Sequence, residues 1–182
     1  MKILTLLRHA KSGWDDPAAR DFDRPLNPRG RRAARTVAAE MHRLGLGFDR
    51  AVASPARRVI ETIEEVARTF GPIAADYDRR LYLAAPDTLL EVVRETPDEV
   101  ERLLLVGHNP GLEILAVTLA GRGEAPLREA LALKYPTATV AEIALPAKRW
   151  RDVGSGSGEI RRFIRPRDLD PALGPEEEET GR

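Results

Sequence analysis

The sequence predicts a three-layer α/β/α sandwich with a mostly parallel central sheet. Short apolar runs alternate along the chain with stripes of helical period, the pattern of strand and helix taken in turn. Three helices are entered through one device, an Asn-Pro or Ser-Pro pair at Asn27-Pro28, Ser54-Pro55 and Asn109-Pro110. The 182 residues, 42% of them hydrophobic, suffice for one sizeable core, so residues 1–165 read as a single domain.

Ile3 to Leu7 is a short run, apolar but for Thr5, and reads as a strand buried on both faces, with Arg8 and His9 at its carboxyl end. A polar loop through Asp15, Asp16 and Asp21 leads to Asn27-Pro28, after which Ala34, Val37, Ala38, Met41 and Leu44 mark a helix that Gly45 and Gly47 stop. Arg50 to Ser54 is a second strand. Beyond Ser54-Pro55, which repeats the cap signal, Val59, Ile60, Ile63, Val66 and Phe70 form one apolar stripe, ended by Gly71-Pro72. A third helix runs from Pro86 to Glu95, before Pro97. Leu103 to Val106 is again a buried strand, with Gly107-His108 at its end and Leu112, Leu115 and Leu119 on the helix that Asn109-Pro110 caps. The β-branched residues between Pro136 and Leu145 predict a later strand, and Gly154 to Gly158 a turn into a closing strand from Glu159 to Ile164. Residues 166–182 are expected to form an acidic, disordered tail, since prolines and the run Glu176 to Glu179 bring too little apolar surface to offset the entropy of ordering.

Lys and Arg total 29 and so do Asp and Glu, a balance that gives no support to a nucleic-acid partner. The distribution is uneven: residues 1–60 carry 13 basic against 6 acidic side chains, residues 166–182 carry 2 against 6. The absence of cysteine excludes disulfides, thiolate nucleophiles and cysteine-ligated zinc. No apolar run approaches the roughly 20 residues of a membrane span, and Ile3 to Leu7 is too short for a signal-peptide core. A cytoplasmic protein with no membrane partner is expected.

Ligands of such sheets bind beyond the carboxyl ends of the strands. That rule gathers Arg8, His9, the turn from Ser54 to Arg58 and the turn Gly107-His108-Asn109 on one rim. Two imidazoles and at least two guanidiniums, Arg8 with Arg57 or Arg58, beside helix starts make a positive pocket suited to a phosphoryl group. An imidazole held there can attack phosphorus and form a phosphohistidine that water hydrolyses, while the other cations stabilise the equatorial oxygens. Taken singly, each of these residues has an ordinary structural explanation; their joint placement carries the reading. His42, between Met41 and Arg43, reads as an exposed helix residue. No metal and no other cofactor is expected, because His9 and His108 lack a convincing third ligand, Asp15 or Asp16 being the ones to hand.

Leu7-Arg8-His9-Ala10 resembles the Arg-His-Gly/Ala signature of the histidine phosphatase superfamily, which includes phosphoglycerate mutases and many phosphatases. Ser54-Pro55-Ala56-Arg57-Arg58-Val59-Ile60-Glu61-Thr62 resembles the family's second block and Gly107-His108-Asn109 its third, in family order across residues 1–145. The resemblance implies a phosphoglycerate mutase-like fold, a phosphorylated His9, phosphoryl oxygens held by Arg8 and Arg58, a pocket completed by His108, and substrate contacts from Arg8, Arg58, His108 and Asn109. In that register Arg58, four residues after Ser54, is the pocket arginine and Arg57 points elsewhere. Arg8-His9-Ala10-Lys11-Ser12 and Asp23-Arg24-Pro25-Leu26-Asn27 are similar to the SixA-type phosphohistidine phosphatases in particular.

The sequence departs from the family pattern twice. Many members place Asn six residues after the nucleophile, where this chain has Asp15, whose charge would repel a phosphate dianion. Mutases and many phosphomonoesterases also carry an acidic proton donor between the second and third blocks. Here Asp78-Arg79-Arg80-Leu81-Tyr82-Leu83-Ala84 supplies none at the expected place, and Asp87, the nearest carboxylate, reads as a helix N-cap. An alkoxide leaving group needs a proton donor, whereas the imidazole of a phosphohistidine can already be protonated. The expected function is therefore a metal-independent phosphatase acting through His9 on phosphohistidine of a phosphotransfer protein. Alternatives are a phosphatase of a small phosphoester or phosphoanhydride, a mutase, and a non-catalytic phosphate-binding or adaptor domain, which Asp15 would suit.

Overall fold

In the computed structural model, which describes residues 1–175, β1 (Lys2–Arg8) lies at the centre of a seven-stranded sheet. The chain continues through α1 (Pro28–Arg43), β2 (Arg50–Ala53), α2 (Arg57–Phe70), β3 (Ala75–Tyr77), α3 (Pro86–Arg94), β4 (Arg102–Gly107) and α4 (Gly111–Leu119). It closes with β5 (Arg122–Gly123), α5 (Ala125–Leu133), β6 (Val140–Leu145), β7 (Glu159–Ile164) and α6 (Pro166–Leu169). Strand order is β3-β2-β4-β1-β6-β7-β5. The pairings β1–β4, β2–β4, β2–β3 and β5–β7 are parallel, while β6 runs antiparallel to both β1 and β7. The sheet is thus mixed with parallel pairings prevailing, and the α/β fold expected from the alternation is the one found.

Strand periodicity divides the apolar residues between two cores. Leu103 and Leu105 face one side with Leu4 and Leu6, packed under α3, α4 and α5; Leu104 and Val106 face the other with Leu7, under α1 and α2. Each of these four β4 residues is fully buried, so truncating any one to Ala should cost about 2–5 kcal/mol. Asn27 caps α1 as its sequence predicts, its side-chain oxygen accepting from Gly30 N at 2.7 Å. Glu61 and Glu65 of α2 then receive Arg31 at 2.7 and 3.1 Å, and Glu65 also receives Arg35 at 2.9 Å, locking α1 to α2.

Several expectations need correction. The tail is ordered over residues 166–173: Pro166 and Pro171 each begin a short helical turn, Pro166 is buried, Leu173 packs against the core under α1, and Asp170 pairs with Arg32. Prolines read as breakers act here as helix starters. Residues 176–182, the rest of that expectation, lie outside the described residues. The later strand begins at Val140, not Pro136. Residues 136–139 turn instead, with Ala138 at a φ of +57° and its N–H donating to the carbonyls of Arg8 and His9. All six β6 residues are buried, since neighbouring strands and both cores cover them, and no alternation results. β3, β5 and α5 escape the sequence reading: the two strands have three and two residues, and α5 buries only Leu131 while leaving Leu133 77% exposed. Neither Ser54 nor Asp87 is a helix cap; Ala56 and Ala85 hold those positions. Asn109 is not a side-chain cap either, because α4 starts from Pro110.

Candidate active site

Register brings the site together. Arg8 of β1 pairs with Gly107 of β4, so the residues that follow the two strands, His9 and His108, emerge side by side. Their ring centroids are 5.2 Å apart. His9 N donates to Gly107 O at 3.1 Å, extending the ladder by one residue. Ala10 N then donates to Thr62 Oγ1 at 2.9 Å, and that hydroxyl donates to Arg58 O at 2.6 Å. Thr62 is wholly buried, so it welds the exit of β1 to the first turn of α2. Gly30 allows the start of α1 to sit against the same exit, as a Cβ there would lie 2.0 Å from Lys11 O.

His9 is oriented by its own chain. Nδ1 donates to Ala10 O at 2.7 Å, which leaves the Nε2 lone pair unprotonated and facing Arg58 Nε at 3.4 Å. Burial lowers the His9 pKa to about 3; the Ala10 carbonyl opposes this, and His108, Arg58 and Arg8 add to it. His9 is therefore a neutral imidazole at ordinary pH, the form that can act as nucleophile.

Arg58 is the hub. Only 2% exposed, it reaches His9, donates through Nη2 to His108 Nδ1 at 3.3 Å, and meets Asp21 through two contacts, Nη1 to the carbonyl at 2.7 Å and Nη2 to Oδ2 at 3.0 Å. Because His108 Nδ1 accepts, its Nε2 carries the proton and donates to Ser54 Oγ at 2.7 Å. Burial, then the Arg58 charge, lowers the His108 pKa to about 3 against a partial offset from Asp21. Arg8 donates through Nη1 to Tyr135 O at 2.8 Å, and its buried Nε has no partner among the described residues. These groups line an open cavity of about 330 Å³ that also takes in Lys11, Asn109 and Arg24.

Other expected residues fall as follows. Arg57 is exposed beside Glu61 at 3.7 Å and lies outside the cavity. Asn109 lines the cavity, but its amide donates to Tyr135 O at 3.0 Å and Glu113 Oε2 at 3.2 Å, so it shares with Arg8 the same carbonyl. Asp15, Asp87 and His42 are exposed and outside the cavity, which removes the observation that favoured an adaptor role for Asp15. Among the described residues, no group of three or more His, Cys, Asp or Glu is placed to hold a metal ion.

Sequence reading missed Asp21 and Tyr82. The Tyr82 hydroxyl donates to Asp21 Oδ2, and its ring stands edge-on to His108 at 5.5 Å. Burial raises the Asp21 pKa, but the Tyr82 hydrogen bond and the Arg58 and Arg24 partners outweigh it and hold the group at about 2. Asp21 is the only carboxylate among the described residues of the cavity wall, and it stays ionised. Its one local partner, Arg24, makes an ordinary i,i+3 pair that marks no site, and the partners that draw it into the site come from α2 and from the segment before α3.

Residues 4–82 match the family model of the histidine phosphatase superfamily, branch 1. An uncharacterized protein of Mycobacterium tuberculosis is 37% identical over 163 residues, 88% of this chain and 100% of that protein. A chain from Agrobacterium tumefaciens, assigned as the phosphohistidine phosphatase SixA, is 30% identical with a TM-score of 0.76, over 90% of this chain and 97% of that one. The protein histidine phosphatase SixA complexed with tungstate shares the fold, with a TM-score of 0.74 at 23% identity over 92% and 99% of the two chains.

Proposed function

The chain belongs to the histidine phosphatase superfamily and is SixA-like, and from that premise we propose that this phosphatase acts through His9, without a metal, on phosphohistidine carried by a protein. His9 Nε2 attacks phosphorus, the N–P bond to the substrate imidazole breaks, and the imidazole leaves with a proton it already carries. Water then cleaves the phosphoryl group from His9 and releases phosphate. Arg8 and Arg58 stabilise the equatorial oxygens as charge spreads over them. Fixed guanidiniums supply the positive charge that a metal supplies elsewhere. Asn109 acts on substrate through Arg8, by holding the Tyr135 carbonyl that both side chains share.

The observation that carries the choice of substrate is the state of Asp21. The cavity's carboxylate is held at about pKa 2 and has no proton to give an alkoxide at neutral pH. An imidazole leaving group needs none. The open mouth, with Leu83 54% exposed on its rim, further supports a phosphoryl group presented on a protein surface.

Phosphate release should be measured from a phosphohistidine-bearing phosphotransfer domain and from a panel of small phosphoesters, with His9→Ala alongside and a chelator present throughout. Preferential release from the protein, lost in the variant and indifferent to the chelator, is expected. Preferential turnover of an ester would overturn the substrate while keeping the nucleophile.

A further inference from the structure

Leu83 combines three features. Its φ is +48°, in the left-handed region that residues other than Gly, Asn and Asp rarely occupy. Its side chain is 54% exposed and belongs to neither core. It is also the one apolar residue among the described residues that line the His9 cavity. The backbone on either side is clamped. Leu81 is wholly buried in the core that α3 and α4 cover, and the Tyr82 hydroxyl donates to Asp21 Oδ2. Ala84 O lies so close to α4 that a Cβ on Gly111 would come within 2.0 Å of it. The clamp explains the conformation, but it does not explain a large apolar side chain where Gly or Asn would fit with less strain. Ala138, which also has a positive φ, is buried and its N–H donates to the carbonyls of Arg8 and His9, so its conformation serves the fold. Leu83 has no such place in a core, and strain kept at the edge of a site without one points to a role in that site.

The exposures of the two residues say which part of a substrate meets Leu83. His9 is 8% exposed and Leu83 54%, so the nucleophile lies deep and Leu83 at the mouth. In an in-line displacement the leaving group departs on the side opposite the attacking nitrogen, here the side toward the mouth. The phosphoryl oxygens need donors, which the polar wall supplies and a leucine does not. What rests on Leu83 is therefore the leaving group. A polyol brought against it would give up water without a replacement partner. An imidazole ring turns an apolar face to the side chain and keeps its polar edge free for solvent. We infer that Leu83 is a specificity-determining residue that packs on the imidazole ring of a phosphohistidine while its phosphoryl group passes to His9. The inference rests on the phosphohistidine reading given above and deepens it, since it gives the site a contact that selects the ring rather than the phosphoryl group.

The test compares the full-length wild type with Leu83→Asn and Leu83→Met on two substrates that share the N–P bond, N-phosphoimidazole with a ring and phosphoramidate without one. The readout is the ratio of the two kcat/KM values, in which a general loss of activity cancels. Leu83→Asn should lower that ratio about tenfold, the low end for an apolar contact because the mouth is open to solvent. Leu83→Met, which keeps the apolar contact, should hold it within about twofold. Asn accepts a positive φ more readily than Leu, so the thermal midpoint of Leu83→Asn should rise. A lower midpoint with equal losses on both substrates would make Leu83 a residue of the fold and overturn the inference. An unchanged ratio in Leu83→Asn, with phosphoimidazole turned over by the wild type, would overturn the ring contact alone. Phenyl phosphate and glycerol phosphate form the second pair. No wild-type turnover of phosphoimidazole, with phenyl phosphate hydrolysed and its advantage over glycerol phosphate lost in Leu83→Asn, would overturn the phosphohistidine reading and support Leu83 as the contact for a ring.

Discussion

Arg58 and Asp21 meet at 3.0 Å in the cavity wall, so the most buried cation of the site is already matched to an internal carboxylate. In the proposed mechanism an incoming phosphoryl group would compete with that carboxylate for the guanidinium. Asp21→Asn removes the competition, and inhibition by inorganic phosphate should tighten about fivefold, the worth of roughly 1 kcal/mol for a partly solvated pair. Unchanged or weaker inhibition would show that Asp21 does not oppose anion binding.

The two neighbouring arginines of α2 should separate cleanly. Arg58→Ala should lower kcat by about 10²–10³, as for loss of one preorganised donor to developing charge, and His9→Ala should leave no turnover. Arg57, with 57% of its side chain exposed, should tolerate Ala with less than about a twofold change. Steady-state kinetics on one substrate decides the matter, and equal losses at both positions would contradict the geometry.

The paired histidines make stability depend on pH. Both have folded-state pKa values near 3, below the ordinary value of about 6.5, so between those limits the unfolded chain binds more protons than the folded one. Stability is therefore full above about pH 6.5 and declines as pH falls toward 3. At pH 5 each histidine should cost about 2 kcal/mol relative to pH 7.5. Urea unfolding at the two pH values measures this, with His9→Gln/His108→Gln as the flattened control.

Gly30 is set by contact with the backbone of Lys11. Gly30→Ala places a methyl 2.0 Å from Lys11 O and should destabilise by about 1–3 kcal/mol. Since Lys11 lies two residues from His9 and lines its cavity, activity at permissive temperature should fall as well. Thermal melts and kinetics on the same preparation test both, and a neutral substitution would mean that α1 can move away.

The residues of the site that follow regular elements were legible in the sequence. Buried runs before Arg8 and before Gly107, and the stripe after Arg58, place three loops on one rim because strand ends and helix starts obey simple periodicity. What stayed hidden depends on tertiary pairing. Asp21 gains its role from Arg58 and Tyr82, which lie 37 and 61 residues further on. Ser54 resembled a helix cap and instead accepts a hydrogen bond from His108, a choice made by the neighbouring strand. The order of residues 166–173 was missed because composition does not show that Leu173 finds a place against α1.

The alignment of Arg8 with Gly107 also makes turnover a report on folding. A slip of one residue between β1 and β4 would shift the two imidazoles by about 3.3 Å along the strands and turn their side chains to opposite faces. Circular dichroism would register little of such an error. An assay of phosphate release on a refolded sample would register nearly all of it, so specific activity serves as the measure of correctly assembled molecules in any preparation.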